Sequence, residues 1–208
     1  IGQAVRRVED PRLLSGQGSF LDDINLARQA YSVVLRSPVA HAWIRGIDTS
    51  AALKSPGVLA IYTGADVNAD NTVQYLDTPG ASAVAPAPIF VPPRELLAFD
   101  TVRFVGDNIA FVVAETLDQA RDAADLIIVD FESLPVVTDP EAAVEDGAPL
   151  IWEGAANNVC CTWTKGDEAE VDNAFSRAYH ITTVRLINNR LVVNSMETRG
   201  ALGDYDPG

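Results

Sequence analysis

Histidine and cysteine, the side chains that most often hold transition metals, are scarce here: 208 residues include two of each. The cysteines are the adjacent Cys160 and Cys161. Neighbours in a strand point to opposite faces, so they build no disulfide framework, and a reducing compartment fits them. They also lack the C-x-x-C spacing of zinc and iron–sulfur ligands. Long apolar runs are missing too. No stretch approaches the roughly 20 residues needed to span a bilayer, and no apolar region follows Arg6 and Arg7 to make a signal peptide. A cytoplasmic location is the expectation. Basic residues are outnumbered, with 15 Lys and Arg against 29 Asp and Glu and a formal net charge of -14. That balance excludes the basic stripe a nucleic-acid binder needs.

Motifs for common chemistries are equally absent. There is no phosphate-binding G-x-x-x-x-G-K-[ST], no G-x-G-x-x-G between strand and helix, and no G-x-S-x-G elbow. "SGQGSF" carries two glycines without a third or a following helix, so it reads as a turn. His41 and His180 lie far apart, and neither has a nucleophile and carboxylate in triad order, so both read as structural histidines. Asp22–Asp23 and Asp204–Asp206 read as solvated acidic pairs in so acidic a chain.

What is present is a soluble-type composition, 48 % hydrophobic and 21 % charged, enough for one large or two smaller cores. The chain begins at Ile1, which implies a start further upstream. Residues 1–15 read as an extended arm with turns around Pro11 and Gly16. "AYSVVLRS", "AWIRGIDTS" and "GVLAIYTGADV" read as strands, the last followed by a turn. Asp48 and Thr49 are placed to cap a short helix, "SAALKS". A long connection with little periodicity follows over 68–93. "VRFVGDNIAFVVAET" gives a strand, a Gly106–Asp107 turn and an apolar strand. Leu117, Ala120, Ala124 and Ile127 have helical spacing, and "IIVDFESLPVV" is a strand again. The acidic, Pro/Gly/Ala-rich stretch at 140–156 predicts a linker. Beyond it, "VCCTWTKG" reads as a strand, Asp167 caps a helix carrying Val171 and Phe175 on one face, and "YHITTVRLINNRLVVNS" reads as a long strand region. The sequence stops at "DPG", where a hairpin normally begins, so this second unit reads as unfinished. These residues alone predict an α+β protein of two units.

Four segments together carry a family resemblance: "VRRVEDPRLLSGQGSFLDDI", "LRSPVAHAWIRGIDTSAALKSPGVLAIYTGADV", "VRFVGDNIAFVVAETLDQARDAADLIIVDFESLPVVTDP" and "NNRLVVNSMETRGALGDYDP". In this order, over nearly the whole chain, they resemble the start of the molybdenum hydroxylase large subunit. That family includes xanthine dehydrogenases, aldehyde oxidases and carbon monoxide dehydrogenases. The resemblance implies an α/β hammerhead domain over 16–139, a linker over 140–156, and over 157–208 the incomplete first part of a molybdopterin-binding domain. It implies oxidation or hydroxylation of an aldehyde, an N-heterocycle or a carbon monoxide-like small molecule. It also implies a molybdopterin cytosine dinucleotide-type cofactor in the intact enzyme, and FAD and [2Fe-2S] centres on partner subunits. This chain alone is expected to hold no cofactor and no complete active site. The remaining large-subunit polypeptide and the flavin and iron–sulfur subunits are the implied partners. The alternative is a hammerhead used as a non-catalytic interaction scaffold.

Departures from the family pattern bear on the site. Val39 stands where a first histidine is frequent in "RSPHAHA", leaving His41, and Gly106-Asp107-Asn108 replaces a glycine-x-proline turn. "NPMEPRG" is here "NSMETRG", with Ser195 and Thr198 in place of two φ-fixing prolines. Glu197 corresponds to an acidic position that lines the substrate pocket in purine-oxidising relatives, where burial would raise its pKa. Glu197 and Arg199 are therefore the substrate-pocket candidates. The competing role for Glu197 is a salt bridge to Arg199, two residues along the same strand face.

Overall fold

A computed structural model describes residues 2–69, 89–93, 95–162, 165–188, 191–195 and 197–205. Most of the expected 68–93 connection, Met196, Asp206 and the terminal "DPG" lie outside them. The chain divides into two compact units, one made of residues 1–29 and 177–208, the other of Ala30–Ser176.

The larger unit is built on one apolar strand, Asn108–Ala114. The strands β1 (Tyr31–Arg36), β2 (Ala42–Asp48), β3 (Val58–Thr63), β4 (Thr101–Val102), β5 (Asn108–Ala114) and β6 (Ile128–Ser133) form two three-stranded antiparallel sheets. Their orders are β1-β5-β3 and β4-β2-β6. β5 alternates strictly. Ala110, Val112 and Ala114 are fully buried on one face, and Ile109 is fully buried on the other. The first set packs with Ala120, Ala123 and Ala124 of the helix α3 (Leu117–Asp125) and with Ile127, two residues beyond its end. Ile109 packs with Ala42, Ala98 and Val102. Leu35, Ile47 and Val129 touch both clusters and join them into one core. The alanines at this helix–sheet contact let the two backbones approach closely, so the core is tight although few of its side chains are large.

α3 starts on a reciprocal cap. Thr116 Oγ1 accepts from the Gln119 amide at 3.3 Å while Gln119 Oε1 accepts from the Thr116 amide at 3.0 Å. Gly106, at φ +95°, turns the chain between β4 and β5 in a conformation that strains any side chain bearing Cβ. Its carbonyl accepts from Arg36 at 3.0 Å, and Arg36 also donates to Asn108 at 2.8 Å. β4 and β5 belong to different sheets, so this turn is a crossing between sheets and not a hairpin.

The expected strands at 30–37, 42–50, 57–63, 108–114 and 128–133 are observed, as is the helix after Thr116. Asp48 accepts from the Ser50 amide at 2.9 Å and a 3₁₀ turn follows at Ala52–Lys54. Asp167 accepts from the Glu170 amide at 3.0 Å and caps α4 (Glu168–Ser176).

Four expectations need correction. The extended N-terminal arm contains α1 (Asp10–Leu14), because Pro11 in a first turn has no amide to lose there. The turn after β3 is α2 (Gly64–Ala69), started by Asp66, whose Oδ2 accepts from Thr63 N and Oγ1 at 2.7 and 2.8 Å. No strand forms among the described residues of "VCCTWTKG" or "YHITTVRLINNRLVVNS". β-branched residues need a partner strand to satisfy their backbone groups, and no described segment provides one. Leu186, Leu191, Val192 and Val193 are each more than 85 % exposed.

The stretch at 140–156 is gathered on itself by Asn158. Its carboxamide accepts from the Ile151 amide at 2.9 Å and donates to the carbonyls of Ala143 and Pro149 at 2.9 and 3.0 Å. Asn158 itself sits at φ +55°, which asparagine tolerates better than most residues.

Two outcomes follow from this packing. Ile109→Ala removes the largest fully buried side chain under β2 and is expected to cost about 2–5 kcal/mol in urea denaturation, against under 1 kcal/mol if that face is loosely packed. The Asp66 carboxyl is held below its ordinary value, first by the Thr63 amide and then by the Thr63 hydroxyl. A depressed carboxyl contributes stability above its unfolded pKa of about 4 and loses it as pH falls through its folded value. Asp66→Asn is expected to flatten the acid limb of a stability–pH profile below about pH 4; an unchanged slope would show that other groups set it.

Candidate functional site

Glu197, the first sequence candidate, lies in the smaller unit. Its Oε1 accepts from the Leu21 amide at 3.0 Å. Leu21 opens a 3₁₀ turn, Leu21–Asp23, whose other end is held by Asp23 Oδ2 accepting from the Phe20 amide at 2.9 Å. Gly200 lies directly against the Leu21 side chain, where a Cβ would collide. The two stretches enclose a shallow hollow of about 400 Å³ lined by Ser19, Phe20, Leu21, Ile24 and residues 197–200. Both site candidates, Glu197 and Arg199, therefore border one hollow.

Their relation differs from either expectation. Glu197 is exposed, and no ion pair joins it to Arg199. The carboxylate instead fixes the N-terminal turn against the 197–200 stretch. Sequence reading missed this bond because it joins residues 176 positions apart. Asp22–Asp23 is likewise more than a solvated pair, since Asp23 holds its own turn. Asp204 is exposed.

His180 is exposed, with Nε2 3.1 Å from Thr182 Oγ1. His41 is 7 % exposed, and its Nδ1 lies 3.0 Å from the Pro135 carbonyl oxygen. A carbonyl only accepts, so Nδ1 carries the proton. Cys160 and Cys161 are free thiols. Among the described residues no group of three or more His, Cys, Asp or Glu is placed to hold a metal ion, and no helix is long and apolar enough to cross a membrane.

A second hollow, of about 350 Å³, opens in the larger unit beside His41. Its walls are Trp43, Asp100, Thr101, Arg103 and Trp152, with Glu153 at the rim. The Arg103 guanidinium stacks on Trp152, Cζ to ring centroid 3.7 Å. Nothing in the sequence pattern drew attention to it. "VRF" and "IWE" are 49 residues apart, and only folding brings arginine onto indole.

The comparisons with known proteins agree on one group. Residues 15–135 match the family described as aldehyde oxidase and xanthine dehydrogenase, a/b hammerhead domain. The nicotine 6-hydroxylase large subunit of Paenarthrobacter nicotinovorans is 40 % identical over 99 % of this chain and 24 % of its own length. The carbon monoxide dehydrogenase large chain of Afipia carboxidovorans is 34 % identical over 97 % of this chain and 25 % of its own. The crystal structure of a Cu,Mo-CO dehydrogenase in its carbon monoxide reduced state superposes with a TM-score of 0.69 at 34 % identity, covering 86 % of this chain and 23 % of that one. This chain spans about a quarter of the length of these relatives.

The Glu197 bond has a local readout. Glu197→Ala is expected to speed hydrogen exchange at the Leu21 amide about 2- to 10-fold, the equivalent of 0.5–1.5 kcal/mol, while Glu197→Gln, which keeps an acceptor oxygen, stays near the parent. Equal rates in all three would remove the carboxylate from the role assigned to it.

Proposed function

The chain belongs to the aldehyde oxidase and xanthine dehydrogenase family, and on that premise we propose that it is the N-terminal portion of a molybdenum hydroxylase large subunit acting on a nitrogen heteroaromatic ring. The observation that carries the reading is the match over residues 15–135 on a fold of two antiparallel sheets joined through β5. The heterocycle class rests on the similarity to nicotine 6-hydroxylase, which exceeds that to the carbon monoxide dehydrogenase chain. An aldehyde or carbon monoxide is the substrate class it displaces.

A molybdenum cofactor of the molybdopterin cytosine dinucleotide type would supply the two-electron oxidation of the ring carbon. The described residues of this chain do not fit it: they offer no clustered donor set, and the Glu197 carboxylate is occupied by a backbone amide. No catalytic step is therefore assigned to this chain. Its own contribution is structural and lies in two places. The larger unit presents a self-contained core, and the 197–200 stretch sets one wall beside the Leu21 turn. Glu197 and Arg199 are proposed to face substrate only when further polypeptide closes that wall. We place the hammerhead domain at 16–139, a connecting stretch at 140–156 held by Asn158, and the start of the molybdopterin-binding domain at 157–208. FAD and [2Fe-2S] centres are assigned to partner subunits, and the assembly to the cytoplasm.

The exposed Leu186, Leu191, Val192 and Val193 favour this reading over a free-standing scaffold, which would bury such residues or lack them. Metal and flavin analysis of the complex that co-purifies with the chain is the test. Molybdenum, flavin and iron are expected together, with electrons drawn from a nitrogen heteroaromatic substrate. A complete complex without molybdenum would overturn the family chemistry, and one that oxidises only aldehydes or carbon monoxide would overturn the substrate class.

A further inference from the structure

An antiparallel sheet commonly covers one face and turns polar residues to solvent on the other. The β1-β5-β3 sheet departs from this. Phe111 is paired with Val34 on one side and Tyr62 on the other, and Val113 with Ser32 and Ala60. Directly paired residues share a face and successive residues alternate, so these six side chains lie on the face turned away from Val112 and α3. Only Ser32 among them is a small polar residue. Ile109 and the second sheet lie at the Asn108 end of β5, and neither core cluster includes any of the six. Val34, Ala60, Phe111 and Val113 are half-buried and Tyr62 is 47 % exposed. β5 reads "IAFVVA" after Asn108, an unbroken apolar run of the kind found in strands covered on both sides. α3 supplies one cover, and the sequence of the strand asks for a second.

Size and charge decide what that cover is. Three strands spaced about 4.8 Å apart, with a rise of about 3.3 Å per residue, give this face an area on the order of 200 Å². A separate partner that binds stably buries about 800 Å² on each side, so this face is too small to hold a free subunit alone. A second copy is disfavoured further, because each carries a formal net charge of -14. A segment of the same polypeptide escapes both limits, since its tether raises its effective concentration to about the millimolar range or above. The chain matches 24 % of the nicotine 6-hydroxylase large subunit, so on the reading proposed above the greater part of the large subunit remains to supply such a segment. We propose that the face formed by Val34, Ala60, Tyr62, Phe111 and Val113 is covered by an apolar segment of the remaining large-subunit polypeptide. β5 is then the middle of a three-layer stack, with α3 on one side and that segment on the other. The inference rests on the family reading, and its test separates the two.

Tyr62, aromatic and exposed, carries the readout. It is replaced by the photo-crosslinker p-benzoylphenylalanine in the full large subunit, within the complex that subunit purifies with. Irradiation followed by peptide mass spectrometry is expected to join position 62 to the same polypeptide outside residues 1–208, with no doubling of the subunit's mass on a gel. A crosslink to a flavin or iron–sulfur subunit, to a second copy or to a segment within residues 1–208 overturns the proposal, and so does the absence of any crosslink. The unmodified complex gives a second measurement that no failure to fold can spoil. Hydroxyl-radical labelling of Tyr62 is expected at under about a tenth of its rate in the urea-unfolded complex, whereas the 47 % exposure of an open face predicts about half that rate and would remove the cover. Molybdenum content is scored on the same samples. A molybdenum-containing complex whose position 62 crosslinks elsewhere loses this inference and keeps the family reading, and a molybdenum-free complex with the expected crosslink does the reverse.

Discussion

Burial of β5 on both faces is the constraint from which the larger unit follows. One face, with Ala110, Val112 and Ala114, is fixed by α3, and the other, with Ile109, is fixed by the second sheet. Slipping β5 by one residue would exchange these sets and drive Ile109 into a contact sized for alanine. The register is therefore set by volume as well as by hydrophobicity. It also fixes β1, paired from Tyr31 opposite Ala114 to Arg36 opposite Asn108, and β3 on the other side. Gly106 and the Arg36 bonds hold the start of the strand, and the Thr116–Gln119 cap begins the helix two residues after it ends.

That constraint explains how much of the fold could be read from residues alone. Strands with β-branched runs bounded by Pro38, Pro56 or Gly106 announce themselves, and the spacing of Leu117, Ala120 and Ala124 announces α3. Pairing does not announce itself. Nothing in "VRFVGD" shows that two residues before the turn join one sheet while those after it join the other. Asn158 is illegible for a related reason: its three bonds reach 7 to 15 residues back and need a left-handed backbone that no periodicity reveals. "YHITTVRLINNRLVVNS" illustrates the opposite error, since its residues favour a strand but a strand is a property of two segments.

The candidate site divides in the same way. Glu197 and Arg199 were reachable through the resemblance of "NSMETRG" to a family pattern, and they do border one hollow. What the carboxylate does there was not reachable, because its partner is a backbone amide on a distant turn. With threonine and serine where the family pattern has prolines, the 194–200 stretch has fewer fixed φ angles. A long-range carboxylate–amide bond compensates for such freedom by tying the stretch at its centre.

The two units therefore differ in what stabilises them. Ala30–Ser176 closes a core from its own residues, with Ile109, Val102 and Val112 wholly inside it. Residues 181–193 present leucine, isoleucine and valine side chains to solvent, and each would gain about 1.5–3 kcal/mol if covered. The described backbone groups there join no sheet ladder, so covering those side chains with another sheet strand would satisfy both demands at once.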